Sequence, residues 1–123
     1  TRHTVQNLGL RLEAGSPTKV FCYSGDGMFT PTASKLYTNA DLLVHEAYTR
    51  DGTVKNPRGE TITIGTKTHC SLQQLERLDD MARPKKMALI HLNRKLREEK
   101  KDILKKYRQR RWIMPDAGEV IEL

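Results

Sequence analysis

Aromatic residues are scarce in this sequence, at 6% of 123 residues, with a single Trp and two Phe. That scarcity excludes an extended base-stacking surface, which needs successive exposed rings. No apolar run approaches the ~18 residues that a membrane-spanning helix requires, and no secretory leader pattern opens the chain. No contact with a membrane is therefore expected. Cys22 and Cys70 are the only cysteines, too few for a disulfide framework. Cys22 lies in an apolar run and reads as a buried, inert thiol. Cys70 adjoins His69 and reads as a packing or surface thiol. This usage fits a reducing, cytoplasmic compartment. Internal repeats, low-complexity tracts and linkers are absent, so residues 1–123 are read as one domain. The first residue is Thr1 and not Met, so a segment upstream is expected.

Positive charge is abundant and concentrated. The net charge is +7. Between Arg94 and Arg111 ten Lys and Arg face three acids, which accounts for the whole excess. A charged run is by default a solvated face, and Glu98, Glu99 and Asp102 give this one local partners. It also suits phosphate-backbone contact. Arg94, Lys95, Arg97, Lys101, Lys105 and Arg108 are the candidate nucleic-acid contacts. Trp112 is expected in the core rather than on a stacking surface.

Three strand-like runs end on polar or ionisable groups. Val20–Tyr23 leads into Ser24-Gly25-Asp26-Gly27, Leu42–Val44 into His45-Glu46, and Met87–Ile90 into His91. Parallel α/β sheets place ligand-binding and catalytic groups at the carboxyl ends of their strands. A carboxylate and two imidazoles delivered this way suggest metal-dependent hydrolysis. Around them the sequence predicts a strand over Val5–Glu13, a turn at Ala14-Gly15-Ser16-Pro17 and a returning strand at Lys19–Tyr23. A helical turn is expected near Thr32–Tyr37, and a long loop over Thr49–Thr68 with a hairpin arm at Thr61–Ile64. Ser71 and Gln74 form a capping-box pattern for a helix with Leu72, Leu75, Leu78 and Met81 on its buried face. Pro84 ends it. One long helix is expected after His91, with Leu92, Leu96, Ile103 and Tyr107 inward. A closing hairpin joins Trp112–Met114 to Glu119–Leu123.

Six segments in this order carry a resemblance. They are His3-Thr4-Val5 with Gly9-Leu10-Arg11-Leu12, Tyr23-Ser24-Gly25-Asp26, Ala40-Asp41-Leu42-Leu43-Val44-His45-Glu46-Ala47, His69-Cys70-Ser71, Leu89-Ile90-His91, and Pro115-Asp116-Ala117-Gly118-Glu119. Together they resemble the second half of a metallo-β-lactamase-fold hydrolase, and within that superfamily the ribonuclease Z-like enzymes. The resemblance implies an α/β fold, the carboxyl-terminal half of an αββα sandwich with a mixed sheet and flanking helices. It implies His3, Asp26 and His91 as metal ligands, with Asp26 bridging two metals, and His69 and Glu46 as catalytic groups, Glu46 orienting His69. Two Zn²⁺ per complete site are implied, with Mn²⁺ or Fe²⁺ as substitutes. The implied reaction is phosphodiester cleavage by hydroxide carried on the metal, with RNA, in particular a tRNA precursor, as substrate and a homodimer as the complete enzyme. The family's His-x-His-x-Asp-His loop is absent from this sequence. The resemblance therefore places it in a missing amino-terminal half and makes this chain alone an incomplete, inactive site.

Other readings accompany it. His45 is read as structural, hydrogen-bonded to a backbone carbonyl. The ester could be a small cyclic nucleotide or a sulfate ester. The chain could be a non-catalytic nucleic-acid-binding module acting through residues 94–111, or a degenerate scaffold for a catalytic partner.

Overall fold

A computed structural model describes residues 8–27, 30–63 and 69–123. The sheet order is β1 (Leu10–Ala14), β2 (Lys19–Tyr23), β3 (Leu42–Glu46), β6 (Met87–Ile90) and β7 (Trp112–Ile113). The β1–β2 pair is antiparallel; β2, β3, β6 and β7 run parallel. A separate hairpin joins β4 (Thr53–Lys55) to β5 (Thr61–Thr63). The three strands singled out in the sequence are thus neighbours that point the same way.

Local chemistry explains the elements. Leu42, Leu43, His45 and Glu46 of β3 are buried, as befits a central parallel strand covered on both faces. Helix α1 (Pro31–Leu36) starts where Thr30 accepts a hydrogen bond from the Ala33 amide, with Pro31 in its first turn. Helix α2 (Leu72–Ala82) carries the full capping box: Ser71 Oγ accepts from Gln74 N at 3.2 Å, and Gln74 Oε1 accepts from Ser71 N at 2.9 Å. Arg83 ends it in the left-handed region at φ +50°, just before Pro84.

The helices cover one sheet face. Cys22, Leu43, Met87, Leu89 and Trp112 meet Leu72, Leu75, Leu78 and Ala82 of α2 in one buried cluster, with Leu96, Ile103 and Tyr107. Tyr107 stacks on Trp112 at 4.5 Å between ring centroids, so Trp112 is a core residue. The opposite face is apolar too. Register aligns Leu10, Tyr23, Val44 and Ala88 in one row, and Leu12, Phe21 and Leu42 in the next. Leu10 is 42% exposed and Leu12 52%. Leu42 and Ala88 on this face are buried, so its open apolar surface is that of β1, although a sheet normally buries its apolar faces against another layer.

The structure corrects three expectations. Met81 is exposed, and Ala82 takes its place in the core. Each step of three residues falls about 60° short of a full helical turn. The stripe has drifted off the core by Met81, and the step of four to Ala82 restores it. The long basic helix is divided: α3 spans Arg94–Glu98 and α4 spans Lys100–Lys106, with a 3₁₀ turn at Arg108–Arg110. The break falls at Glu99 (φ −94°, ψ 10°), whose carboxylate accepts from Arg50 at 2.7 Å. The closing hairpin is absent. The turn forms, with Glu119 N donating to Asp116 O at 3.1 Å, but Glu119–Leu123 is not a strand. The two residues of β7 pair with β6 instead and leave too short a ladder to hold a returning strand. The described part of the first predicted strand is Leu10–Ala14; Val5–Asn7 lie outside the described residues. No helix is long and apolar enough to cross a membrane among the described residues.

Candidate metal centre

The carboxyl ends of β2, β3 and β6 deliver three groups to one place. After β2 the chain turns at Ser24-Gly25-Asp26-Gly27. Gly25 (φ +66°) and Gly27 (φ +133°) adopt angles that side chains disfavour, which lets the turn present Asp26. Glu46 is the last residue of β3 and is fully buried. His91 follows β6 with φ +54°, an uncommon conformation for a residue with a Cβ. Such angles cost of order 1–3 kcal/mol and concentrate at functional sites.

A fourth group arrives from the start of α2. Tyr48 N donates to Cys70 O at 2.9 Å and Leu72 N to Thr49 O at 2.9 Å, so this start lies alongside the chain leaving β3. That pairing sets Cys70 N 2.7 Å from Glu46 Oε1 and His69 Nδ1 2.9 Å from Glu46 Oε2. The same Oε2 lies 3.0 Å from His91 Nδ1, and Asp26 Oδ1 lies 3.2 Å from that nitrogen. A buried carboxylate without partners would be costly; Glu46 has three. An ionised carboxylate only accepts, so each imidazole places its proton on Nδ1. Nε2 then becomes the basic, ligating atom of each ring. This carboxylate–imidazole pairing is the arrangement that orients metal-binding histidines.

Side-chain exposure rises outward, from Glu46 at 0% through His69 at 23% and His91 at 39% to Asp26 at 48%. Tyr48 walls one side, its ring stacked on His69 at 4.5 Å and tilted against His91 at 5.5 Å. Ser24 Oγ accepts from Glu46 N at 3.3 Å and donates to Gly25 O at 2.7 Å, linking the Asp26 turn to β3.

Of the sequence candidates, the structure brings Asp26, Glu46, His69 and His91 together, and His3 lies outside the described residues. His45 points into the core. It is fully buried, its Nδ1 contacts the Glu46 carbonyl at 2.9 Å, and burial pushes its pKa down to about 4. It is therefore neutral and donates to that carbonyl. Two features escaped the sequence reading: Glu46 holds His91 as well as His69, and Tyr48 packs both rings. The only trace of the second was an aromatic residue two positions beyond the strand's last carboxylate. Arg94, Lys95, Arg97, Lys101, Lys105 and Arg108 are all exposed. Arg94 is paired with Glu98 at 2.9 Å.

The donor set suits a divalent cation in part. Atoms of Glu46, His69 and His91 capable of binding a metal lie within 4.8 Å of one another. Imidazole nitrogen and carboxylate oxygen are ligands for Zn²⁺, and also for Mn²⁺ and Fe²⁺. Glu46 already accepts three hydrogen bonds, so it serves better as the orienting carboxylate than as a ligand. Asp26 and the imidazoles remain as first candidates and do not complete a four-coordinate sphere each for two metals.

No protein-family model matches this sequence, and neither does any curated protein. Solved structures do. The human tRNase Z, short form (ELAC1), superposes with a TM-score of 0.66 at 18% identity over 98% of this chain and 39% of its own. The metallo-beta-lactamase fold protein YhfI from Bacillus subtilis gives 0.74 at 18% identity over 99% of this chain and 47% of its own. The architecture reached from the sequence is thus found in superpositions over nearly all of this chain: the chain has the architecture of part of the metallo-β-lactamase fold, and it spans less than half the length of either of these neighbours.

Proposed function

We propose that this chain is the carboxyl-terminal half of a dinuclear, zinc-dependent phosphodiesterase that cleaves RNA. The observation that carries the reading is the single buried carboxylate, Glu46, holding two imidazoles by Nδ1 beside Asp26. The exposed apolar side of β1, at Leu10 and Leu12, supports a second half, because it is a surface a second layer would bury. The neighbours' greater length is consistent with this. In this reading the second half brings the His-x-His-x-Asp-His ligands.

His91 and Asp26 would hold the metals, and the resemblance adds His3. When bound, divalent cations supply Lewis acidity toward a phosphoryl oxygen and lower the pKa of bound water. Glu46 fixes the tautomer and direction of both rings. His69, with its proton donor to Glu46 on Nδ1, offers Nε2 to the departing oxygen and delivers a proton there when charged. Tyr48 keeps the His69 ring from rotating. The exposed cations of α3 and α4 draw the RNA backbone to this edge.

The test is metal content and hydrolysis of an RNA phosphodiester, measured with the second half present. Asp26→Ala and His91→Ala are expected to abolish both while the fold persists by circular dichroism. Unchanged metal content and turnover in both variants would remove the enzyme reading. A salt-sensitive RNA affinity without hydrolysis would favour a binding module instead.

A further inference from the structure

His91 belongs to two surfaces. Its Nδ1 faces Asp26 and Glu46, and it also lines a neighbouring cavity of about 380 Å³. Apolar residues line it, Leu92, Met114 and Pro115 among them, together with the charged Arg97, Lys100 and Asp116. Its volume falls within the range of small-molecule sites. Arg97 comes from α3 and Lys100 from the start of α4, so the break at Glu99 lies between the two cations. Lys100 Nζ is held by Asp116 Oδ1 at 3.0 Å, but Asp116 is 78% exposed. Exposed pairs are weak, so an arriving phosphate can compete for Lys100.

We infer that this cavity is the subsite for the nucleotide unit flanking the scissile bond. The apolar residues take the base and sugar, and Arg97 with Lys100 takes the next phosphate. The inference rests on the RNA phosphodiesterase reading above and deepens it by assigning residues to the unit next to the scissile bond. A bidentate guanidinium and an ammonium recognise phosphate, while Leu92, Met114 and Pro115 offer a base or ribose an apolar surface. Charge decides the direction: the cavity carries two cations against a single carboxylate.

The probe is adenosine 5′-monophosphate, compared with adenosine by titration calorimetry on the full chain. AMP is expected to bind at least about tenfold more tightly than adenosine, as charge-assisted hydrogen bonds to phosphate imply. Arg97→Ala and Lys100→Ala should each weaken AMP about tenfold. Asp116→Asn should tighten it about two- to fivefold by releasing Lys100. AMP binding that matches adenosine, or that ignores both cation variants, overturns the subsite. Loss of hydrolysis by the complete enzyme with this AMP pattern intact removes the phosphodiesterase reading and leaves the subsite as a nucleotide site.

Discussion

The parallel strands β2, β3 and β6 have a carboxylate at each end, and the two are treated differently. At the amino ends, Asp41 accepts from Val20 N at 2.7 Å and from Lys85 Nζ at 2.8 Å. A fixed cation and a backbone donor satisfy it, and its pKa lies below the usual carboxylate range, chiefly because of Lys85 and then Val20. At the carboxyl ends, Glu46 accepts from one backbone amide and two imidazoles. Imidazoles can change protonation state near neutral pH and can bind metals, whereas an ammonium there could do neither readily. The same chemical group thus clamps one end of the sheet and equips the other for chemistry.

Breaking the equipped end should have the largest effect. Glu46→Gln keeps the volume but adds an N–H₂ donor. If the amide oxygen stays on Cys70 N, the N–H₂ faces both Nδ1 atoms and drives their protons to Nε2. If it flips, the N–H₂ opposes the Cys70 amide, at a cost of about 1–3 kcal/mol. In the first case the rings lose their ligating state; in the second they keep it, but the Cys70 amide loses its acceptor. Metal affinity of the completed site should fall about 10–100-fold, read by competition with a chelating dye. Unchanged affinity would mean that Glu46 is structural, like Asp41. Tyr48→Ala comes next. A ring pair contributes about 0.5–1.5 kcal/mol, so kcat/KM should drop about two- to tenfold through looser placement of His69. Tyr48→Phe should restore it; failure to restore would assign the role to the hydroxyl.

Legibility in the sequence divides along the same line. Strands whose apolar content is continuous, such as Leu42–Val44 and Met87–Ile90, were readable because burial on both faces demands that pattern. The capping box of Ser71 and Gln74 was readable because it is local. So was the turn at Gly25 and Gly27. The six resembling segments gave the fold, since their order survives even where single motifs are ordinary. The shared bond from Glu46 to His91 was not readable: it joins residues 45 positions apart, and only the register of β3 on β6 brings them together. The division at Glu99 was hidden for a related reason, because its partner Arg50 belongs to a distant loop. The missing last strand failed on arithmetic of pairing, since nothing in Glu119–Leu123 says that β7 is only two residues long.

Ser71→Ala probes the equipped end without touching an ionisable group. It removes the side-chain acceptor for Gln74 N, and loss of such a cap costs about 0.5–2 kcal/mol. The midpoint of urea unfolding should fall accordingly. Metal affinity should move much less than in Glu46→Gln, because the Cys70 amide and His69 precede the cap. An equally large loss of metal affinity would show that the start of α2 sets the His69 geometry as strongly as Glu46 does.

The smallest effect is expected at the clamped end. Asp41→Asn keeps an acceptor for Val20 N and loses the ion pair to Lys85, whose side chain is 70% exposed. Because the Asp41 carboxyl is depressed in the folded chain, its stabilisation is present above the ordinary carboxylate pKa of about 3.9. It is lost as pH falls through the folded value, where the native state must take up the proton. The wild-type chain should therefore unfold at a slightly higher urea concentration than Asp41→Asn at pH 7, and the gap should close below about pH 3.9. Added salt at pH 7 should narrow it as well, since the pair is largely open to solvent. A gap that persists into acid would place the benefit of Asp41 in the geometry of its bond to Val20 rather than in its charge. The two ends of the sheet would then differ in what surrounds the carboxylate and not in whether it is ionised.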